Sequence, residues 1–180
     1  MSQWKIVAQK SILSKKLFGV EQIDFENRAG KKKTHYIAER TPTVSVFPLT
    51  DSGEIYLISQ YRYMLEKTVL EAVSGYIERK ETPLAAAKRE LKEETGISAD
   101  QLEDFARIEM AGSVFRSKAY LFLAKGLEIG VNDLDEAEEI SLIKMPLSEA
   151  VEKVMIGEIN HSASMIGILM LDKLRKEKKL

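Results

Sequence analysis

The most informative pattern of this chain is the stretch Gly75-Tyr-Ile-Glu-Arg-Lys-Glu81-Thr-Pro-Leu-Ala-Ala-Ala-Lys-Arg89-Glu90-Leu91-Lys-Glu93-Glu94-Thr-Gly96-Ile97. It fills the pattern G-x5-E-x7-R-E-U-x-E-E-x-G-U, in which U is an apolar residue, without a gap or a mismatch. Seven residue identities and two apolar positions therefore occur at fixed spacing. A pattern of this length predicts a specific loop, helix and turn rather than a generic charged surface.

The middle of this stretch predicts a helix with clear ends. Thr82 suits the N-cap and Pro83 suits the first helical position. Gly96 lies just beyond the expected end, where a residue with positive φ is favoured. At about 100° per residue, one apolar stripe should bury against a sheet. This stripe consists of Leu84, Ala87 and Leu91.

Carboxylates share one edge of the predicted helix. Glu90, Glu93 and Glu94 fall within an arc of about 100° and repel each other unless a cation lies among them. Oxygen-only ligands at this spacing suit Mg²⁺, with Mn²⁺ as a possible substitute, and such ions take substrate phosphates as further ligands. Arg89 precedes Glu93 by four residues and can pair with it. A solvated charge-rich helix is the alternative, but the complete spacing favours a metal site.

The whole pattern resembles the signature of the Nudix hydrolases, which cleave a nucleoside diphosphate linked to another group. The similarity extends over most of residues 40–175. It implies an α/β fold, namely an α/β/α sandwich with a mixed sheet. The implied reaction is attack of metal-activated water on one phosphorus of a pyrophosphate, which gives a nucleoside monophosphate and a second phosphorylated product.

The resemblance also implies roles for individual residues. Glu90 and Glu94 would be the principal metal ligands, and the carbonyl of Ser74 would be a backbone ligand. Glu93 would be a further ligand or would position the attacking water, so Glu93 and Glu94 are the candidate catalytic carboxylates. Arg89 is expected to orient them.

A second set of residues is similar to one branch of the family, the pyrophosphatases of ADP-ribose and nucleoside diphosphate sugars. Arg62, within Gln60-Tyr61-Arg62, matches an arginine that contacts substrate in that branch, and Glu71 lies in the matching strand. The resemblance therefore implies a small-molecule nucleotide substrate with Arg62 and Glu71 as substrate-binding residues. A surface salt bridge is the alternative for Arg62.

The loop formed by residues 110–118 departs from that branch, because Arg116 stands where a glutamate is expected. The loop is more similar to the adenosine-compound hydrolases, which accept NADH and dinucleoside polyphosphates. A cationic Arg116 or Lys118 can bind a substrate phosphate. A catalytically inactive nucleotide-sensing module is a further alternative, since the loop glutamate is missing. The candidates for the general base are Glu93, Glu136, Glu138 and Glu139.

The first forty residues predict a small antiparallel β-sheet that precedes the main domain. Residues 4–8 and 23–25 alternate between apolar and polar side chains. We expect residues 1–40 to form an arm for homodimerisation and base binding, and residues 41–180 to form the hydrolase domain. Trp4 and Tyr36 are candidates for stacking on the base, although Trp4 fits an interface anchor equally well.

Composition excludes several classes of protein. A net charge of −1 disfavours nucleic-acid binding through a basic surface. The chain has no cysteine, its first ten residues lack an apolar stretch of signal-peptide length, and residues 165–171 are too few to span a bilayer. A cytoplasmic protein without a membrane partner is therefore expected. His35 and His161 are isolated and lack metal-type spacing, so packing or surface roles are expected for both.

Overall fold

The computed structural model describes residues 4–110, 112–131 and 139–180. The chain divides into two compact units, which are described separately below. The N-terminal unit combines Met1–Pro42 with Glu109–Lys118, and the larger unit combines Thr43–Ile108 with Ala119–Leu180. Two of the candidate general bases, Glu136 and Glu138, lie outside the described residues.

The N-terminal unit is built on a four-stranded sheet. Its strands, in spatial order, are β1 (Trp4–Ser14), β2 (Phe18–Asn27), β3 (Lys32–Arg40) and β9 (Phe115–Arg116). The first three strands pair antiparallel, as the alternating pattern predicts. Strand β9 adds to β3 in parallel, with Ala38 opposite Phe115. Sequence could not predict this pairing because two residues are too few to show an alternating pattern.

The described residues of the larger unit form two sheets and three helices. One sheet has the order β7 (Val73–Tyr76), β4 (Thr43–Pro48), β10 (Lys118–Ile129) and β8 (Ile97–Glu109). The other has the order β11 (Ile140–Pro146), β5 (Glu54–Arg62) and β6 (Lys67–Glu71). The helices are α1 (Pro83–Thr95), α2 (Leu147–Met155) and α3 (Ser162–Lys176). Strand β4 pairs in parallel with β10 and antiparallel with β7, so the sheet that contains it is mixed.

Helices cover both faces of this mixed sheet. Val46 of β4 belongs to the same buried apolar cluster as Leu91 of α1. The next residue, Phe47, lies on the opposite face, because successive side chains of a strand alternate. Its ring lies so close to α3 that a Cβ added to Gly167 would be 2.0 Å from Cζ of Phe47. This arrangement confirms the predicted α/β/α sandwich. No helix in the described ranges is long and apolar enough to cross a membrane.

The buried face of α1 differs from the predicted stripe. Leu84 was expected to be buried, but it is 43% exposed. At about 100° per residue, Leu84 points in nearly the same direction as the buried Leu91 and Thr95, but it lies in the first turn and is left exposed there. The carboxylate edge overlaps the packed face, because Glu94 is buried. The buried residues of α1 are Ala86, Ala87, Leu91, Glu94 and Thr95.

Candidate active site

Helix α1 begins and ends where its sequence predicts. The hydroxyl oxygen of Thr82 accepts a hydrogen bond from the backbone N–H of Ala85 at 3.2 Å. At the other end Gly96 adopts a φ of 72°, and its N–H donates to the carbonyl of Lys92 at 2.9 Å. Because both ends are defined, the face of the helix on which Glu90, Glu93 and Glu94 lie is defined as well.

Arg89 gathers the acidic side chains at one edge of the helix. Its Nε and Nη2 each donate to Glu81 at 3.0 Å, and its Nη1 donates to Glu90 at 2.7 Å and to Glu93 at 2.9 Å. Nη2 also donates to the carbonyl oxygen of Tyr76 at 2.9 Å. The hydrogen bonds to Glu81, followed by those to the other carboxylates, raise the pKa of Arg89 above its ordinary value. The same hydrogen bonds from Arg89 lower the pKa of Glu81.

The side chain of Glu94 is buried in the protein. Only 6% of Glu94 is exposed, and its Oε2 accepts a hydrogen bond from the backbone N–H of Ser74 at 3.0 Å. A backbone donor of this kind offsets the loss of water around a buried carboxylate. The contact brings β7 next to the carboxylate edge of α1 through the N–H of Ser74. The metal-ligand role that the resemblance implies for the Ser74 carbonyl stays a prediction.

Gly75 explains how the backbone comes so near to the acidic edge. A Cβ at this position would lie 1.9 Å from the carboxyl carbon of Glu90, so any other residue would push that side chain aside. Glycine is therefore required at position 75 because the backbone of β7 lies close to Glu90, and not because of an unusual φ. The site consists of Glu90, Glu93 and Glu94 on α1, Arg89 between them, and the backbone of Ser74 and Gly75.

The donor atoms fit a hard divalent cation, although they are not yet arranged around one. Within the described ranges, no three carboxylates or histidines converge closely enough to form a ready-made metal site. Glu90 and Glu93 face Arg89, and Glu94 faces Ser74. All the available donors are oxygen atoms along one edge, which is the ligand type that Mg²⁺ and Mn²⁺ prefer. A bound cation would have to compete with Arg89 for two of these carboxylates.

Arg62 and Glu71 form a second polar cluster. Nε of Arg62 donates to Oε1 of Glu71 at 2.6 Å, and the side chain of Glu71 is only 3% exposed. Nδ1 of His161 lies 3.7 Å from the other carboxylate oxygen and 3.0 Å from Oγ of Ser164. That hydroxyl oxygen accepts the backbone N–H of Ala72 at 2.9 Å. The cluster thus links Arg62 on β5 to Glu71 on β6 and to α3.

This geometry gives different roles to Arg62 and Glu71, although the resemblance implied substrate binding for both. Glu71 is enclosed and bonded to Arg62, so it is suited to hold that arginine in place, whereas Arg62 keeps 39% of its side chain exposed. His161 was expected to be an isolated histidine, yet it lies at the start of α3 beside Glu71. No local signal could have indicated this contact, because the two residues are far apart in the sequence.

Arg116, the third predicted substrate-binding residue, belongs to the N-terminal unit. Its Nη1 contacts Glu39 closely and lies 3.9 Å from Glu21. The neighbouring Lys118 lies 3.3 Å from Glu109. Both cations of the 110–118 loop are therefore paired with acids of their own unit, and their role towards substrate stays a prediction.

The aromatic candidates of the N-terminal sheet have contacts of their own. Nζ of Lys33 lies 4.3 Å from the centroid of the Trp4 ring, which is the geometry of a cation–π contact. Tyr36 is exposed, and its hydroxyl lies 3.4 Å from the amide oxygen of Gln22. His35 packs edge-on against Phe25, with ring centroids 5.4 Å apart. These contacts account for the packing of His35 and leave base stacking by Trp4 and Tyr36 as a prediction.

This chain is similar to known proteins along nearly all of its length. The family described as NUDIX domain matches residues 39–163. A methanol dehydrogenase activator from Bacillus methanolicus and an ADP-ribose pyrophosphatase from Bacillus subtilis (strain 168) are each 30% identical over 169 residues, which is 93% of this chain and 91% of either relative. A crystal structure of an ADP compounds hydrolase superposes with a TM-score of 0.83 at 24% identity, covers 100% of this chain and 98% of that one, and has the same fold.

Proposed function

We propose that this chain, which belongs to the NUDIX family of hydrolases, is a pyrophosphatase of ADP-ribose or a related nucleoside diphosphate sugar. Its products would be a nucleoside monophosphate and a sugar phosphate. The observation that carries the proposal is the acidic edge of α1, where Ser74 holds Glu94 and Arg89 gathers Glu90 and Glu93. Similarity to the ADP-ribose pyrophosphatase of Bacillus subtilis along nearly the whole chain supports this substrate class.

Nudix hydrolases generally need a divalent metal ion, and we propose Mg²⁺ for this one, with Mn²⁺ as a substitute. Glu90, Glu93 and Glu94, together with the backbone of Ser74, would hold it. When bound, the ion supplies positive charge that offsets the charge of the diphosphate and lowers the pKa of a bound water. The oxygen-only donor set is the feature that supports this assignment.

Proton transfer, positioning and phosphate binding would be carried out by different residues of the chain. The side chain of Glu93 is 43% exposed, and Glu93 is our proposed acceptor for the proton of the attacking water. The water oxygen forms a bond to one phosphorus as the bridging P–O bond breaks, and the second phosphate leaves with that bridging oxygen. Arg89 acts through the carboxylates that it holds, so it is a positioning residue. Arg62, oriented by Glu71, would bind a substrate phosphate, and so would Arg116.

One residue of the 110–118 loop favours a second class of substrates. Arg116 occupies the loop position at which an ADP-ribose enzyme is expected to have glutamate, which favours other adenosine compounds such as NADH and dinucleoside polyphosphates. Glu139, the described candidate base outside α1, is exposed, and we retain it as an alternative to Glu93. The intact set of three mutually repelling carboxylates argues against an inactive sensing module, because such a module has no use for them.

A substrate panel with a matched pair of variants tests the proposal. Purified protein with Mg²⁺ is assayed for nucleoside monophosphate released from ADP-ribose, nucleotide sugars, NADH and dinucleoside polyphosphates, and relative kcat/KM values rank the two groups. Glu94→Gln keeps the shape of the buried side chain but removes its charge, and it should lower kcat by roughly a thousandfold or more. Glu103→Gln removes an exposed carboxylate of β8 and should leave turnover unchanged. Release from no substrate, or normal turnover by Glu94→Gln, would contradict the proposal.

We further propose a cytoplasmic homodimer that associates through the N-terminal sheet. Strand β1 is the edge of that sheet in the described chain and exposes several apolar side chains, which is unusual for a solvated edge. The exposed apolar residues of β1 are Ile6, Val7, Ile12 and Leu13. Light scattering should give the mass of a dimer, and Ile6→Lys should yield the monomer. A monomeric wild-type protein would exclude this assembly.

A further inference from the structure

The N-terminal unit contains a pocket of about 360 Å³. It is lined by the turn between β1 and β2, by the end of β3 and by the residues at and after β9. Glu39 is the acid among its lining residues, which include five basic ones. The basic residues are Lys15, Lys16, Arg40, Arg116 and Lys118.

The positive charge of this pocket is only partly compensated. Arg116 contacts Glu39, and Lys118 lies 3.3 Å from Glu109. Lys15 and Lys16, in contrast, form no ion pair with any part of the chain that the structure describes. Both lysines line the pocket, and because the net charge of the protein is −1, this surplus of positive charge is local.

The turn that carries the two lysines is held by backbone hydrogen bonds. The N–H of Lys15 donates to the carbonyl of Phe18 at 2.8 Å, which closes the turn. The N–H of Thr41 donates to the carbonyl of Leu17 at 3.0 Å, which ties the turn to the end of β3. The backbone that presents the lysines is therefore already ordered, and a ligand would need to immobilise only their side chains.

We propose that this pocket binds an oligophosphate, that is, two or more linked phosphate groups. A ligand with several adjacent negative charges matches Lys15 and Lys16 together, whereas a single carboxylate would neutralise only one of them. The guanidinium of Arg116 adds the planar donor geometry that phosphate oxygens accept. The oligophosphate can come from the substrate of this protein or from a separate phosphorylated molecule. The site lies within the N-terminal unit and does not rest on the proposed hydrolase activity.

Titration calorimetry with inorganic tripolyphosphate in metal-free buffer tests the binding. Lys15→Gln/Lys16→Gln should bind roughly tenfold more weakly than wild type, since each exposed charge pair is worth up to about fivefold. Lys5→Gln/Lys10→Gln removes two exposed lysines of β1 outside the pocket and should bind within about twofold of wild type. Equal unfolding temperatures would show that all three proteins are folded. Absence of binding to wild type, or equal weakening in both double variants, would overturn the proposal.

Kinetics then distinguish the two sources of the oligophosphate. If the pocket holds phosphates of the substrate, Lys15→Gln/Lys16→Gln raises KM and leaves kcat unchanged. If it holds a separate molecule, KM is unchanged and any response of turnover to added tripolyphosphate is lost in this variant. Both results support the site. Should the protein prove inactive towards every substrate, the calorimetric comparison still decides whether the pocket binds oligophosphate.

Discussion

Replacement of Arg89 by alanine should destabilise the fold far more than loss of a typical surface arginine. In the described chain Arg89 makes five hydrogen bonds, four of them to carboxylates, and without it Glu81, Glu90 and Glu93 would lose the cation that they share. An exposed ion pair contributes about 0–1 kcal/mol, whereas removal of one partner of a buried pair costs about 3–5 kcal/mol. The side chain of Arg89 is 28% exposed and lies between these limits. We therefore expect a loss of about 2–3 kcal/mol.

Urea unfolding followed by circular dichroism measures this loss, provided that the m-value is unchanged. Arg107→Ala is the matched control, because Arg107 is 71% exposed and pairs only with Asp104 among its charged neighbours in the described chain. It should cost less than about 1 kcal/mol. Arg89→Lys keeps the charge but loses the planar set of donors, so its stability should fall between wild type and alanine. Equal losses in the free energy of unfolding for Arg89→Ala and Arg107→Ala would contradict the proposed stabilising role of Arg89.

The same variant reports on the cation that the site is proposed to bind. In Arg89→Ala, Mg²⁺ no longer competes with the guanidinium for Glu90 and Glu93, and it relieves their repulsion. Mg²⁺ should therefore raise the unfolding temperature of Arg89→Ala by more than that of wild type, through ligand binding to the folded state. No increase in either protein would count against metal binding at this edge.

Three further predictions concern neighbouring groups. Gly75→Ala should displace Glu90 and lower kcat by on the order of a hundredfold. Its stability, measured by urea unfolding, should stay within about 1 kcal/mol of wild type, because the flexible side chain of Glu90 can move aside. Glu71→Gln should raise KM by about tenfold in steady-state assays by releasing Arg62, with no added effect in an Arg62→Ala background. The pKa of Glu81 is lowered in the folded protein, so the ionised carboxylate stabilises the fold. This contribution is complete above the ordinary pKa of 4.5 and is lost as the pH falls through the lower pKa of the folded state. Glu81→Gln should therefore make urea stability less sensitive to pH in that acid range, and an unchanged pH dependence would contradict the assignment.

Helix α1 shows how much could be predicted from local sequence. Its cap at Thr82, its end at Gly96 and the common edge of the carboxylates depend on residues within one to four positions of each other. Such signals are complete in the sequence, since helix periodicity and capping act over a single turn. The burial of Leu84 was predicted wrongly, because periodicity gives the angle around a helix but not where along its length a sheet will cover it.

Local sequence patterns were enough to predict the ends of helix α1, the mixed α/β class and the family, because all three follow from short-range patterns at fixed spacing. The partners that those residues take depend instead on the folded chain. Ser164 reaches the backbone of Ala72 across 92 positions, and Arg116 reaches Glu39 across 77. Burial of Glu94, enclosure of Glu71 beside His161 and the basic pocket of the N-terminal unit are likewise contacts between distant segments. They arise when strands and helices pack, and no pattern within one segment can specify them.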